Sequence, residues 1–342
     1  MLRKNVTRKR GASARDYFQA IRPQNAMLTS LALALPVMIS HGSLDLFVLG
    51  AMALGFLLNS AASIHNNITD FDYDMKVRYT SSRVVGTRVP MKHAKTMYAA
   101  LLTACVLLGI YLSRLDPWAL LVLFVFVMGV VSAYNLFGKT HYVWGVCISI
   151  GIAGVVWYGA IIGGKFLENL HCNLFIMAYL ALQSGFMQNW EGGLKDVATD
   201  PSNMAAAMGV RIEGERLYIS TLFKASVWLM KFVMTAILLY FVHITVGLTD
   251  PIWLLSPVAV AVIALNALSY PAAHHLLSFK KFDRGAIIRA YGYHEALTWV
   301  ALPAALYPVL GIWLALFTAL LPLVWYVVYN TAVHGSPLVP DI

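Results

Sequence analysis

Residues 117–136 have the sequence PWALLVLFVFVMGVVSAYNL, a run of twenty residues without a charged side chain. A helix of this length rises about 30 Å, which is the thickness of the hydrocarbon core of a bilayer. A run of this length and composition is therefore typical of a helix that crosses a membrane.

Apolar stretches of similar character recur along most of the chain. The last of them contains Pro303, Pro308 and Gly311, so that it could hold one span or two. We therefore predict an all-α, polytopic membrane protein with nine or ten transmembrane helices in a bundle. Besides 117–136, the stretches are 25–41, 46–66, 96–113, 142–163, 170–189, 219–246, 251–273 and 296–329.

The overall composition supports this class. Of the 342 residues, 59% are hydrophobic and 12% are charged, whereas a soluble domain has about 45–50% apolar and about 25% charged residues. The net charge is +9, but no basic stripe with interleaved aromatic residues is apparent, so we expect no nucleic-acid partner. Cys105, Cys147 and Cys172 are scattered and are interpreted as small core residues.

The basic residues are distributed by connection. The N-terminus and the connections 67–95, 137–141, 190–218 and 274–292 carry Lys and Arg, whereas the connections between them are short and carry little positive charge. The positive-inside rule places the basic connections and the N-terminus in the cytoplasm. Residues 1–20 are expected to be a basic cytoplasmic lead-in, not a cleaved signal peptide.

The long connection 67–95 begins with a carboxylate cluster, Asn66-Asn67-Ile68-Thr69-Asp70-Phe71-Asp72-Tyr73-Asp74. On a continuous helix Asn66, Asp70 and Asp74 are four residues apart and form one stripe, whereas Asp72 points elsewhere.

The other long connection, 190–218, follows a second cluster. Asp196 and Asp200 repeat the four-residue spacing, and Asn189 would lie on nearly the same helical face. Glu191 lies about 140° away, so its role is less defined.

Two acidic stripes on the same membrane side indicate a shared cation. One pair of like charges could simply be solvated, but such pairs disfavour a helix by about 0.2–0.5 kcal/mol each, and two matching pairs require a common reason. Mg²⁺ binds one or two carboxylates together with substrate phosphates, and it could neutralise a diphosphate leaving group. Mn²⁺ is an alternative ion. The sequence thus predicts a Mg²⁺-dependent diphosphate site.

At these residues the chain resembles the UbiA superfamily of intramembrane prenyltransferases. The family's NxxxDxxxD signature matches Asn66, Asp70 and Asp74, and its DxxxD signature matches Asp196 and Asp200. The context is similar too, and includes Ile21-Arg22-Pro23, Arg88-Val89-Pro90, Ala133-Tyr134-Asn135 with Lys139, and the segment 204–210.

The resemblance implies one UbiA-like domain over residues 1–342, a central cavity capped by the loops 67–95 and 190–218, and an isoprenyl diphosphate bound through Mg²⁺. A lipophilic or aromatic acceptor would then receive the prenyl group. It implies that Asp70, Asp74, Asp196 and Asp200 are catalytic and, with Asn66, bind or support the metal. Candidates for diphosphate contact are Arg78, Arg83, Lys139 and Lys195. Candidates for acceptor contact are Arg22, Asn189 and Glu191. The basic residues could instead serve only to anchor the loops on the cytoplasmic side.

Two departures concern the subfamily. An Arg-Pro pair of the family appears here as Arg88-Val89-Pro90, and Met204 stands where many members have a third acidic residue of the second signature. A terpene cyclase, or a transferase of the prenyl-phosphate glycosyl or phosphoribosyl type, stays open on the same scaffold. A cation transporter is the alternative of another class, although its coupling sites are expected near the midplane.

Tyr291-Gly292-Tyr293-His294-Glu295 opens the last apolar stretch. Cavity lining is one interpretation of these residues, but acids favour helix starts, so that we interpret His294 and Glu295 as capping or interfacial residues.

Overall fold

The computed structural model describes residues 11–74, 84–200, 202–247 and 251–335. Arg78 and Arg83, which are predicted to contact diphosphate, lie outside the described residues. The described chain is mostly helical, as the apolar stretches predict.

The eight apolar stretches up to residue 277 each form a long helix. We number these spans in chain order: span 1 Pro23–His41, span 2 Leu46–Thr69, span 3 Met91–Ser113, span 4 Pro117–Phe137, span 5 Tyr142–Ile162, span 6 Leu170–Asp196, span 7 Thr221–Val246 and span 8 Pro257–Leu277.

The last helix, Arg284–His334, is broken at Gly311, where φ is 71° and ψ is 170°. Residues 284–310 (span 9) and 312–334 (span 10) are each longer than the roughly 20 residues that a crossing needs. The indole of Trp299 donates to the carbonyl of Thr318 at 3.0 Å, so the two halves run back along each other. The described residues therefore contain ten spans, the higher of the two numbers that the sequence allows.

Spans 9 and 10 form a helical hairpin. The start of span 9 and the end of span 10 both lie at the end of the bundle that carries the two Asp signatures, here called the motif end. Arg284 contacts Asp196 there, and the carbonyl of Val333 accepts a hydrogen bond from Arg15 of the short helix Ala14–Ala20.

Close packing around span 1 depends on glycine. A Cβ added to Gly159 of span 5 would lie 2.1 Å from the carbonyl oxygen of Leu33, and one added to Gly55 of span 2 would lie 2.6 Å from the Cα of Ser30. Small residues let helix backbones approach closely in membranes. Span 1 is consequently held between spans 2 and 5 at the centre of the bundle.

Short elements cover the motif end. The connection after span 2 forms the helix Phe71–Asp74, and the connection after span 6 forms the helix Met204–Ala207 and an antiparallel hairpin of Arg211–Glu213 with Arg216–Tyr218. The Leu217 amide donates to the carbonyl of Lys280 at 2.9 Å, which joins the hairpin to the connection before span 9.

The outer surface of the bundle is apolar. Leu46, Trp313 and Tyr111 are between 75% and 86% exposed, which would be unfavourable in water but is expected for side chains that face lipid.

Candidate active site

A cavity of about 790 Å³ opens within the bundle. Its most highly charged end lies at the motif end, and the cavity is also lined by apolar and uncharged polar side chains. The polar lining includes Arg22, Asn66, Asp70, Tyr73, Lys139, Lys195, Asp196 and Arg284, and the apolar lining includes Leu28, Leu58, Val127, Ile152, Val155, Leu180, Trp299 and Leu323.

The first signature keeps the predicted stripe from Asn66 to Asp70. Asp70 caps span 2 with helical backbone angles, so the chain continues with little change of direction into Phe71–Asp74. The amide of Asn66 donates to Oδ2 of Asp70 at 3.0 Å, and both residues line the cavity. Asp72 is exposed, as its position on the helix predicts. The metal role of the Asp74 side chain stays a prediction.

The second signature departs from the predicted helical stripe. Span 6 ends at Asp196, and Asp200 follows in a turn that is closed by a 2.7 Å hydrogen bond from its amide to the carbonyl of Asp196. Asp196 lines the cavity. The carboxylate of Asp200 instead accepts from Nζ of Lys139 at 2.8 Å and from the amide of Ser202 at 3.1 Å, so that it holds a cationic wall of the cavity.

Two basic side chains form ion pairs with the carboxylate of Asp196. Its oxygens lie 3.0 Å from Nζ of Lys195 and 3.3 Å from Nη2 of Arg284. Arg284 begins span 9, where Asp283 caps the helix. From the sequence, Arg284 is one of the basic residues of the connection 274–292 that the positive-inside rule assigns to the cytoplasm, because nothing in local spacing relates it to a residue in span 6.

Lys139 lies on the cavity wall, and its contact with diphosphate stays a prediction. Burial lowers its pKa, but the adjacent Asp200 carboxylate outweighs burial and the net pKa of Lys139 is raised. Its ammonium also lies 5.5 Å from the ring centre of Tyr73. The Tyr73 hydroxyl donates to the carbonyl of Thr199 at 3.2 Å, which links the two signatures.

Arg22 lines the polar end as well. It adopts left-handed backbone angles, with φ at 46°, just before Pro23 starts span 1. Nη2 of Arg22 donates to Oδ1 of Asn67 at 2.8 Å. Burial lowers the pKa of Arg22 while the carboxylates of Asp70 and Asp196 oppose this change, and an arginine side chain keeps its charge in proteins.

Asn189 and Glu191, predicted to contact an acceptor, do not line the cavity. Residues 186–191 form a π-helical turn, which changes the helical register between Asn189 and Asp196. Asn189 therefore faces span 5, where its amide donates to the carbonyl of Gly145 at 2.8 Å.

Glu191 is fully buried 2.8 Å from Nδ1 of His294. The interpretation of His294 and Glu295 as capping or interfacial residues is wrong, because the helix begins ten residues earlier, at Arg284. His294 is buried, and Glu295 lines the cavity.

The donor set at the polar end fits Mg²⁺. Among the described residues, no three His, Cys, Asp or Glu side chains gather around one point, but a complete protein cage is not what Mg²⁺ needs. The ion takes hard oxygen ligands and completes its shell with water and substrate phosphate. Carboxylates from Asp70 and Asp196 and the amide oxygen of Asn66 are ligands of that kind.

Three solved structures share this fold. A UbiA homologue from Aeropyrum pernix K1 in its apo form is 18% identical over 82% of this chain and 96% of its own, with a TM-score of 0.58. A homologue from Archaeoglobus fulgidus bound to DMAPP and Mg²⁺ is 12% identical over 87% and 100%, with a TM-score of 0.56. A digeranylgeranylglyceryl phosphate synthase is 15% identical over 87% and 98%, with a TM-score of 0.55.

At these identities the likeness is one of fold, and no curated protein sequence matches the chain significantly. The model of the UbiA prenyltransferase family, however, matches residues 26–294, which include both Asp signatures and spans 2 to 8 entire. The chain thus belongs to the UbiA prenyltransferase family and is a multi-pass membrane prenyltransferase.

Proposed function

We propose that this enzyme uses Mg²⁺ to ionise an isoprenyl diphosphate and transfers the prenyl group to a lipophilic or aromatic acceptor, releasing diphosphate. The observation that carries the proposal is that Asp70 and Asp196, which lie 126 positions apart in the sequence, line one polar cavity end together with Lys139, Lys195 and Arg284. Carboxylates for a metal and cations for phosphate oxygens are thereby combined in one site.

The proposed metal ligands are Asn66, Asp70, Asp74 and Asp196. Bound Mg²⁺ would supply Lewis-acid neutralisation of the charge on the leaving diphosphate. The fold likeness to the homologue bound to DMAPP and Mg²⁺ supports this choice. Mn²⁺ prefers the same oxygen ligands and is a natural substitute to test.

The basic residues orient the diphosphate. Lys195 and Arg284 form ion pairs with Asp196 and both line the cavity, and cationic side chains of this kind form strong hydrogen bonds to phosphate oxygens. Lys139 is fixed by Asp200. We therefore assign Asp200 a positioning role, in which it aims Lys139 at the diphosphate.

The apolar walls would hold the isoprenyl chain and protect the allylic cation. Val127, Ile152, Val155 and Leu180 come from spans 4, 5 and 6, and these aliphatic side chains would keep water from the part of the cation that they surround. The basic connections at the motif end support a cytoplasmic location for that end, by the positive-inside rule.

The test is release of diphosphate from radiolabelled geranylgeranyl diphosphate and farnesyl diphosphate by purified protein, with Mg²⁺, Mn²⁺ or EDTA. A panel of acceptors and a no-acceptor arm are run in parallel. Asp70→Asn and Asp196→Asn are expected to lower turnover by about 100-fold or more. Asp72→Asn, the same change on an exposed neighbour, should leave it unchanged.

The outcomes separate the alternatives. Metal-dependent transfer to an acceptor supports the proposal. A hydrocarbon product without an acceptor would identify a cyclase, and transfer of a prenyl phosphate to or from a sugar phosphate would identify the other transferase type. Folded protein that turns over no prenyl diphosphate would overturn the proposal and leave the cation-transporter reading to be tested by ion flux.

A further inference from the structure

Glu295 is a carboxylate in the cavity that the metal and diphosphate sites do not use. Among the described residues that line the cavity, the acidic ones are Asp70, Asp196 and Glu295, and the first two belong to the signatures. Glu295 therefore requires a separate explanation.

The position of Glu295 is deeper than the diphosphate end. It lies eleven residues after Arg284 on span 9, which corresponds to about 16 Å along the helix axis. Trp299, one turn further on, belongs to the apolar lining. Glu295 thus lies between the charged end and the apolar part of the cavity.

A carboxylate inside a span is costly, because an acidic side chain at the centre of a transmembrane helix disfavours insertion by about 2.5–3.5 kcal/mol. Its charged neighbours are Lys195 towards the diphosphate end and Glu191 behind the wall. Tyr291, one turn earlier on span 9, and Tyr326 of span 10 also line the cavity beside it. Together with Glu295, these neighbours form a zone of ionisable side chains between the diphosphate end and Trp299.

A carboxylate accepts hydrogen bonds and protons, so this zone matches a substrate group that donates them. The isoprenyl chain has no such group, and the diphosphate is an anion that a carboxylate repels. The remaining component of the proposed reaction is the acceptor. A hydroxyl is a suitable donor, whereas an anionic acceptor group at this point would be repelled.

We infer that Glu295 is a catalytic residue that binds the hydroxyl of a neutral alcohol or phenol acceptor and takes its proton; the inference rests on the proposed function. The C1–O bond of the isoprenyl diphosphate breaks and diphosphate leaves with the electron pair. A lone pair of the acceptor oxygen forms the new bond to C1. The hydroxyl proton passes to the Glu295 carboxylate, so that the reaction yields a neutral prenyl ether and diphosphate.

The experiment compares wild type with Glu295→Gln, which keeps the shape of the side chain and one acceptor oxygen but accepts no proton. The probes are radiolabelled geranylgeranyl diphosphate, a long-chain alkyl glycerol, and a series of alkylphenols whose ring substituents make the hydroxyl progressively more acidic. Diphosphate release and prenyl-ether formation are measured separately. Glu168→Gln, the same change on an exposed residue between spans 5 and 6, is the matched control.

We expect Glu295→Gln to retain diphosphate release, with water as the trap, and to lose ether formation by about 100-fold or more, the range of general-base catalysis. The loss should shrink as the phenol becomes more acidic, since an acidic hydroxyl needs less help from a base. A merely structural role would lower transfer to all acceptors equally. Should Glu295→Gln fail to fold, Glu295→Asp retains the base and should retain ether formation in part.

Ether formation at the wild-type rate in Glu295→Gln would overturn the inference, and so would a loss that is equal for release and transfer. Release by wild type without transfer to any hydroxyl acceptor would also overturn it. If wild type releases no diphosphate from any prenyl diphosphate, it is the proposed function that fails.

Discussion

Nδ1 of His294 lies 2.8 Å from Oε2 of Glu191, and both side chains are fully buried. The pair joins span 6 to span 9 at the level where each contributes to the cavity. Glu191 ends the π-helical turn five residues before Asp196, and His294 directly precedes Glu295. The relative placement of the metal end and the proposed acceptor zone therefore depends on this contact.

Replacing His294 with Ala should destabilise the protein by about 1–3 kcal/mol, because the buried carboxyl group of Glu191 would lose its hydrogen-bond partner. The measurement is unfolding in detergent, followed by loss of the monodisperse peak on heating and by denaturant titration. His171→Ala removes an exposed imidazole and should leave unfolding unchanged. Equal stability of the two variants would show that the pair does not hold spans 6 and 9 together.

Lys139→Met should raise KM for the isoprenyl diphosphate by about 10- to 100-fold, the range for hydrogen bonds to charged groups. The pKa of Lys139 is raised above its ordinary value, since Asp200 outweighs the effect of burial. The charge is therefore present at neutral pH and would be lost only as pH rises through a pKa above about 10.4. Steady-state kinetics from pH 6.5 to 9 should accordingly show a constant difference between variant and wild type.

The exposed Lys165→Met provides the control for Lys139, and its KM should match the wild type. Asp200→Asn should raise KM as Lys139→Met does, and combining the two changes should add little. Fully additive effects would contradict the positioning role of Asp200.

Gly159→Ala should destabilise the bundle by about 1–3 kcal/mol, as overpacking typically does, because the new Cβ would clash with the carbonyl of Leu33. The matched change Gly292→Ala meets nothing within 4 Å and should stabilise span 9 by up to about 1 kcal/mol. Denaturant unfolding of both variants gives the comparison. A stabilised Gly159→Ala would mean that spans 1 and 5 can separate without cost.

The fold was predictable because each helix that crosses a bilayer must be about 20 residues long and predominantly apolar. Both properties can be read directly from the sequence. The 117–136 stretch corresponds closely to span 4, Pro117–Phe137. The break at Gly311 could only be anticipated as one of two possibilities, since Pro303, Pro308 and Gly311 are compatible with a kinked helix as well as with a turn. Tertiary contacts such as that of Trp299 with Thr318 decide between them.

The site was predictable where helical spacing alone determines it. Asn66 and Asp70 meet as their spacing requires. Prediction failed where the register changes, as at the π-helical turn that turns Asn189 away, and where the helix ends before Asp200. Arg284 could not be predicted as a site residue, because it contacts Asp196 of a different span. No spacing in a single sequence reveals a contact between spans that are distant along the chain.

Ten spans place residue 11 and residue 335 on the same side of the membrane, whereas nine would place them on opposite sides. Single cysteines at Gly11, Ile312 and Ala332, which are exposed positions, can be introduced after the native cysteines are replaced by Ala. In intact cells a membrane-impermeant maleimide should label Ile312→Cys, and Gly11→Cys and Ala332→Cys should react only after lysis. If Ala332→Cys were labelled in intact cells while Gly11→Cys stayed protected, the helical hairpin at Gly311 would be contradicted. The number of transmembrane spans would then be nine.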